Sequence, residues 1–231
     1  MMRIIKSVYR TFVPSSVRNS PKIGKLRAHL LGKGHDWTYN LDYYERTVEG
    51  PAVRSAATIA NSIVNEFKAR RIIDVGCGTG ALLETLRDKG CDVFGLEYSE
   101  AALKYCRSRG LSVSKFDLER DVFTETDSFD VAISMEVAEH LPEKVADRYV
   151  DLLTRLSEVI IFTAAPPGQG GTDHVNEQPA SYWISKFRDR HFTHAEELSQ
   201  RWRESWQAAG DVESWYRDNL MIFGRTSSSG S

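Results

Sequence analysis

Residues 71–86, RIIDVGCGTGALLETL, constrain the fold more than any other part of the chain. An apolar run ends in Asp74 and three glycines follow at alternate positions, Gly76, Gly78 and Gly80. Ala81, Leu82, Leu83 and Leu86 then recur at helical spacing. A buried strand, a glycine bend and a helix in that order are one unit of an α/β sheet. Glycines at such a bend permit positive φ and let the backbone approach a bound group closely. The helix that begins near Gly80 aims its free N–H groups at the same place, which suits an anionic group. A plain tight turn would need no such alternation, so the bend reads as a ligand-holding loop.

More units of the same kind surround it. Val53, Ala56, Ala60, Ile63 and Phe67 form the apolar stripe of a helix over 51–67. After the glycine loop, Gly90 stops its helix and CDVFGLEYS reads as the next strand. Ser99 caps a helix that Gly110 ends, and LSVSKFDL is a third strand. FDVAISM is a strand, PEKVADRYVDLLTRL a helix with Pro142 early in it, SEVIIFTAA a strand and QPASYWISKFRD a helix. Alternation at these lengths predicts a mostly parallel sheet with helices on both faces. After Arg190 the pattern weakens to one helix, HAEELSQRWRESWQAAG, and one clear strand, NLMIFGR. The end of the sheet is therefore expected to hold fewer strands than its beginning suggests. Of the late tryptophans, Trp202, Trp206 and Trp215 read as a core stripe, and only Trp183 adjoins a candidate site loop. His191 and His194 read as surface or capping residues.

Composition bounds the class. A chain of 231 residues with 41% hydrophobic and 27% charged residues fits one soluble α/β domain with additions. A net charge of −2 argues against a general polyanion binder, and no nucleic-acid partner is expected. Cys77, Cys91 and Cys106 have neither disulfide nor zinc spacing and read as reduced thiols of a cytoplasmic protein. No apolar run is long enough for a membrane span. Charge is unevenly placed: residues 1–35 contain no Asp or Glu but carry eight Lys and Arg. Ile4, Ile5, Val8, Tyr9 and Phe12 recur at helical spacing within that arm. The arm reads either as a solvated basic segment or as a contact for an anionic membrane surface or lipid-linked substrate. The organisation expected is an arm and aromatic lid over 1–50, a ligand-binding domain over 51–225 and a flexible tail over 226–231.

The loop's chemistry narrows the ligand. A phosphate loop needs Lys and Ser or Thr after the last glycine, and GALL stands there instead. A dinucleotide fingerprint needs G-x-G-x-x-G, and here the pattern is G-x-G-x-G followed by Ala81. Glu97 ends the next strand about 20 residues later, where a carboxylate accepts both hydroxyls of a ribose. Nicotinamide dinucleotides and S-adenosylmethionine are both held by that device. Asp117 and Leu118 end the third strand, where an acid and a backbone N–H can meet an adenine; a turn or cap role for Asp117 is the other reading.

Taken together, IIDVGCGTG, FGLEYS, FDL and FDVAISMEVAEHL resemble the class I S-adenosylmethionine-dependent methyltransferases of small-molecule or glycan type. The resemblance spans roughly residues 70–165. It implies a three-layer Rossmann-like fold, mostly parallel with an antiparallel last strand, plus an N-terminal helical lid. It implies S-adenosylmethionine as cofactor and S-adenosylhomocysteine as product. Asp74, Gly76, Cys77, Gly78 and Gly80 would line the methionine moiety, Glu97 and Tyr98 the ribose, Asp117 and Leu118 the adenine, and Met135 and Glu136 the sulfonium end. A carboxylate beside glycines suits an amino-acid ammonium, whereas it would repel a pyrophosphate.

Methyl transfer from a sulfonium is an in-line displacement, so the acceptor must be aligned and, for a hydroxyl, deprotonated. Two loops at the same sheet edge offer groups for this. MEVAEHL supplies His140 as a base and Glu139 as an orienting group; both also fit a purely structural helix start. Residues 163–183 form a long polar loop of the kind that is usually functional. It supplies His174 as a second candidate base, Asn176 and Gln178 as hydrogen-bonding groups, and Trp183 beside them. Asp173, His174 and Glu177 have no recognised ligand spacing, and no metal site is read from the sequence. Trp37, Tyr39, Tyr43 and Tyr44 form the aromatic lid segment. The function expected is O-methyl transfer to a small molecule or saccharide. A protein or RNA methyltransferase, or a non-catalytic cofactor-binding subunit, are the alternatives.

Overall fold

The computed structural model describes residues 38–124 and 129–226. The basic arm, Trp37 and the tail beyond Thr226 lie outside the described residues. A short helical turn, Leu41–Tyr43, is capped by the Asn40 side chain. It leads through a wide π-helical turn, Tyr44–Val48, into helix α1, Glu49–Phe67. Then come β1 Arg71–Val75, α2 Ala81–Asp88, β2 Asp92–Glu97, α3 Glu100–Ser108, β3 Val113–Lys115 and β4 Val131–Met135. Two 3₁₀ turns, Ala138–His140 and Glu143–Val145, precede α4 Ala146–Leu156. The chain continues as β5 Val159–Thr163, α5 Ala180–Arg188, β6 Phe192–His194, α6 Glu196–Ala209, α7 Ser214–Asp218 and β7 Met221–Arg225.

The strands form one sheet in the order β3-β2-β1-β4-β5-β7-β6. Neighbours are parallel except β7, which runs antiparallel to both β5 and β6. The sheet therefore holds seven strands, and the expectation of a depleted end is corrected. The strand that sequence reading missed, β6, is three residues long and pairs only with β7. Its pairing, rather than any apolar pattern of its own, makes it a strand.

Apolar runs in the central strands follow from burial on both faces. Ile72 and Ile73 are both fully buried, and they point into different cores. Ile72, Ile133 and Ile161 pack with Ile63 of α1, Leu83 of α2 and Trp202 and Trp206 of α6. Ile73, Ala132 and Phe162 pack with Tyr149 and Leu153 of α4 and with Trp183 and Phe187 of α5. Each fully buried large side chain contributes about 1.5–3 kcal/mol of transfer free energy. The face α1 buries is turned slightly from the expected stripe: Ile59 is buried, while Val53 is 51% exposed. Pro142 lies ahead of α4 in an extended conformation, so that helix begins four residues later than its sequence suggests.

Arg109, just past α3, ties the site's supports together. Its guanidinium donates to Glu49 Oε1 at 2.6 Å, to Glu84 Oε2 at 2.8 Å and to the Thr79 carbonyl at 3.2 Å. It so joins the start of α1, helix α2 and the glycine loop, with only 12% of its side chain exposed. Arg109→Ala strands two carboxylates and a carbonyl. It is expected to lower the unfolding free energy by about 2–3 kcal/mol in urea denaturation. A loss below about 0.5 kcal/mol would mean the clamp adds no stability.

Candidate functional site

Strand order reverses between β1 and β4, and a ligand crevice is expected outside the carboxyl ends of strands at such a point. A cavity of about 650 Å³ lies there. The glycine loop after β1 and the 136–141 segment after β4 form two of its walls. Tyr39, Tyr43 and Tyr44 close it from the N-terminal side, and residues 169–174 from the other.

The glycine loop owes its path to two hydrogen bonds and one close approach. The Gly76 and Cys77 amides donate to the Leu96 carbonyl at 2.7 and 3.2 Å, which turns the chain sharply at the end of β1. Gly76 has φ +81°, and a side-chain carbon there would sit 2.4 Å from Val137 Cγ2. Asp74 and Glu97 face the cavity from the ends of β1 and β2 and are 6% and 8% exposed. Glu97 Oε2 accepts from the Gly78 amide at 2.9 Å, and Oε1 from the Ser99 amide at 2.7 Å. Burial pushes the Glu97 carboxyl up to about 7, against the opposing pull of those amides. Burial pushes Asp74 further, to about 8, and the Glu97 charge adds to it. Two buried acids so held at one cavity wall have the capacity to ionise when a cationic or hydrogen-bond-donating group meets them.

Of the residues expected to bind a cofactor, Asp74, Gly76, Cys77, Gly78, Glu97, Tyr98, Asp117, Leu118, Met135 and Glu136 all line the cavity. Gly80 does not. It precedes α2, beneath the loop, against Leu111 and Cys106. Asp117 lines the wall and also forms a turn: its Oδ1 accepts from the Glu119 amide at 2.9 Å.

The acceptor end is built around two histidines. His140 and His174 both line the cavity, with their ring centroids 4.9 Å apart and edge to face. His140 Nδ1 lies 3.0 Å from the Tyr39 hydroxyl. His174 Nδ1 lies 2.9 Å from Glu177 Oε1. Glu177 also accepts from the Gly168 and Gly170 amides at 2.8 and 2.7 Å. The His174 ring and these amides hold its carboxyl below the usual range. An ionised Glu177 accepts a hydrogen bond from Nδ1–H, which leaves the lone pair of His174 on Nε2. Tyr39, Tyr43 and Tyr44 stack edge to face in sequence at 5.3 Å, and Tyr39 continues onto His140 at 5.9 Å. Burial pushes the Tyr39 and Tyr44 hydroxyls well above their usual range, so both stay protonated.

Three residues expected at the site are elsewhere. Asn176 is buried beneath the loop, where its backbone N–H donates to the Glu139 backbone carbonyl at 3.1 Å. Gln178 reaches Asn176 Oδ1 at 2.9 Å and not the cavity. Trp183 is 1% exposed in the core against Phe162, with ring centroids 5.4 Å apart. Trp215 lines the cavity instead. Sequence reasoning also missed a polar rim. Glu136 has φ +54°, which aims its carboxylate across the mouth. Oε2 accepts from Gln169 Nε2 at 3.0 Å, and Oε1 from Asn219 Nδ2 at 3.1 Å. Asn219 also donates to Gln169 Oε1 at 2.8 Å, closing a ring of three side chains.

Comparison with known proteins is consistent with this geometry. A family model described as "Methionine biosynthesis protein MetW" matches residues 56–165. The ubiquinone biosynthesis O-methyltransferase of Methylococcus capsulatus is 35% identical over 95 residues, which are 38% of this chain and 39% of that protein. The protein of the same description from Alkalilimnicola ehrlichii is 28% identical over 165 residues, 68% of this chain and 62% of that one. The chain thus spans well under two thirds of the length of several curated relatives it matches. Among solved structures, CalS10, an amino pentose methyltransferase from Micromonospora echinaspora, superposes with a TM-score of 0.56 at 20% identity, over 74% of this chain and 90% of that one. The sugar N-methyltransferase KedS8 from Streptoalloteichus gives a TM-score of 0.60 at 15% identity, over 80% and 92% of the two chains. At such identities these are likenesses of fold.

Proposed function

We propose, since the chain belongs to the class I, Rossmann-like S-adenosylmethionine-dependent methyltransferases by fold and by glycine-loop sequence, that it transfers a methyl group to a hydroxyl of a small molecule or saccharide. The observation that carries this reading is one cavity shared by the Asp74–Glu97 carboxylates and the His140–His174 rings. The carboxylates suit the ammonium and ribose hydroxyls of S-adenosylmethionine, which when bound supplies an activated methyl group. Gly76, Cys77 and Gly78 would follow its methionine part, and Asp117 and Leu118 would meet the adenine. His174, fixed by Glu177, would accept the acceptor's proton at Nε2, and His140, fixed by Tyr39, would orient the acceptor. The tyrosine segment would act as a lid on the domain that follows and exclude water. O-methyl transfer draws support from the names of the sequence relatives, and a polar, saccharide-like acceptor from those of the fold neighbours.

The test follows methyl-labelled S-adenosylmethionine with purified protein in a fractionated lysate, after calorimetry has established cofactor binding. Label in a small-molecule or saccharide fraction is the expected result. Label in a lipid-linked fraction would in addition give the basic arm at 1–35 a purpose. Label in protein or nucleic acid would overturn the acceptor class, and failure to bind S-adenosylmethionine would overturn the whole reading.

A further inference from the structure

The acceptor end of the cavity holds a buried acid beside two imidazoles. Glu139 is fully buried, neither of its carboxylate oxygens makes a well-formed hydrogen bond, and the Glu136 carboxylate lies beside it. A buried carboxylate in that condition is costly unless it is protonated or meets a cation. Among the described residues no Lys or Arg lines the cavity. The groups that do approach are imidazoles: one ligand-capable atom from each of Glu139, His140 and His174 lies within 4.8 Å of the others.

The geometry points to a divalent transition-metal site made by the Glu139 carboxylate and the His140 and His174 rings. Three further observations fit it. His174 has its Nδ1 held by the Glu177 carboxylate, the outer partner that metal-bound imidazoles habitually carry, which assigns Nε2 to the ion. His140 has its Nδ1 at the Tyr39 hydroxyl, an outer partner of the same kind. The loop is also shaped to bring His174 inward. A side-chain carbon at Gly171 would sit 2.2 Å from His174 Nε2 and 2.5 Å from Cε1, so only glycine lets the ring lie where it does. Two imidazoles and one carboxylate suit zinc, manganese or iron better than magnesium or calcium, which prefer all-oxygen sets. With three protein ligands the ion keeps open positions, the arrangement of catalytic rather than structural sites. An acceptor hydroxyl, or a vicinal pair of them, is the class of ligand that would fill those positions and become more acidic there. The inference rests on the methyl-transfer reading and changes one role in it: with Nε2 on the ion, His174 would hold the metal, and the acceptor hydroxyl, made acidic by the metal, would lose its proton to solvent rather than to that ring.

The test needs no methyl transfer. Full-length protein is stripped with a chelator and titrated with ZnCl₂ by calorimetry, and with CoCl₂ by visible absorption. One equivalent of metal is expected to bind, with cobalt bands of nitrogen and oxygen ligation. His174→Ala and Glu139→Gln should each weaken binding at least tenfold, and Glu177→Gln about tenfold. His191→Ala, outside the cavity, should leave it unchanged. Should the buried Glu139→Gln fail to fold, the loop variant His174→Ala carries the test. No binding, or binding unchanged by His174→Ala, overturns the site. S-adenosylmethionine binding is measured separately on the same samples. Metal without S-adenosylmethionine binding sinks the methyl-transfer reading and leaves the metal site; the converse sinks the metal site alone.

Discussion

Gly76→Ala is expected to lower S-adenosylmethionine affinity by at least about a hundredfold and to destabilise the protein by about 2–5 kcal/mol. Two costs add. At φ +81° an L side chain is strained by about 1–2 kcal/mol. The new carbon also meets Val137, 2.4 Å from Cγ2 and 3.1 Å from Cγ1. Both methyls are close, so turning Val137 to move Cγ2 away still leaves a tight contact, and overpacking of this kind costs about 1–3 kcal/mol. The strain falls where the Gly76 and Cys77 amides hold the loop against Leu96, so relief comes by moving the loop that the cofactor's methionine end would follow. The double variant Gly76→Ala with Val137→Ala separates the two costs. It should recover part of the affinity, since the clash goes and the φ strain remains. Calorimetry decides the matter, and a Gly76→Ala protein that binds within threefold of the parent would refute the argument.

The same loop explains why so much of the site was legible in the sequence. A strand, a glycine bend and a helix are neighbours in the chain, so Asp74, Gly76, Gly78 and Glu97 announce their arrangement through local spacing and one strand repeat. Gln169 and Asn219 do not. They meet Glu136 from 33 and 83 residues away, and nothing in either local sequence marks them. Periodicity likewise counted the tryptophans without orienting them. Trp183 lies on the inner side of α5, where the core takes it, whereas Trp215 in the short α7 faces the cavity. The long polar loop reads as functional in the sequence, yet its polar residues divide by position. His174 reaches the cavity, Glu177 fixes His174, and Asn176 and Gln178 pack beneath it. That division depends on the fold of the loop, with Asp173 at φ +61° turning the chain. β6 was invisible for a related reason: Phe192–His194 is a strand because β7 lies beside it.

The pair Asp74 and Glu97 should make cofactor binding steeply dependent on pH. In the free protein burial raises Asp74 to about 8 and Glu97 to about 7, with the Glu97 charge adding to the rise at Asp74. A ligand that offers an ammonium to one and hydroxyls to the other favours both as carboxylates, so binding expels the protons they hold. Below both values, affinity should fall about tenfold per pH unit for each group. Between pH 7.5 and pH 5.5 the loss is expected to reach about three orders of magnitude. Above about pH 8 the gain should stop, because the ligand's own α-amino group begins to lose its charge. Stability of the free protein runs the other way. Both carboxyls hold protons in the folded state that the unfolded chain has lost above about pH 4, so stability falls as pH rises from about 4 through 7 and 8. The shift in Tm on adding S-adenosylmethionine should therefore widen from pH 5.5 to pH 7.5. Calorimetry across that range gives log Kd against pH, whose acid limb should approach a slope of two. Glu97→Gln, which keeps the shape but cannot titrate, should reduce that slope to one. A Kd that does not move between pH 5.5 and 7.5 would mean that neither carboxylate meets the cofactor, and the loop's ligand would have to be sought among neutral molecules.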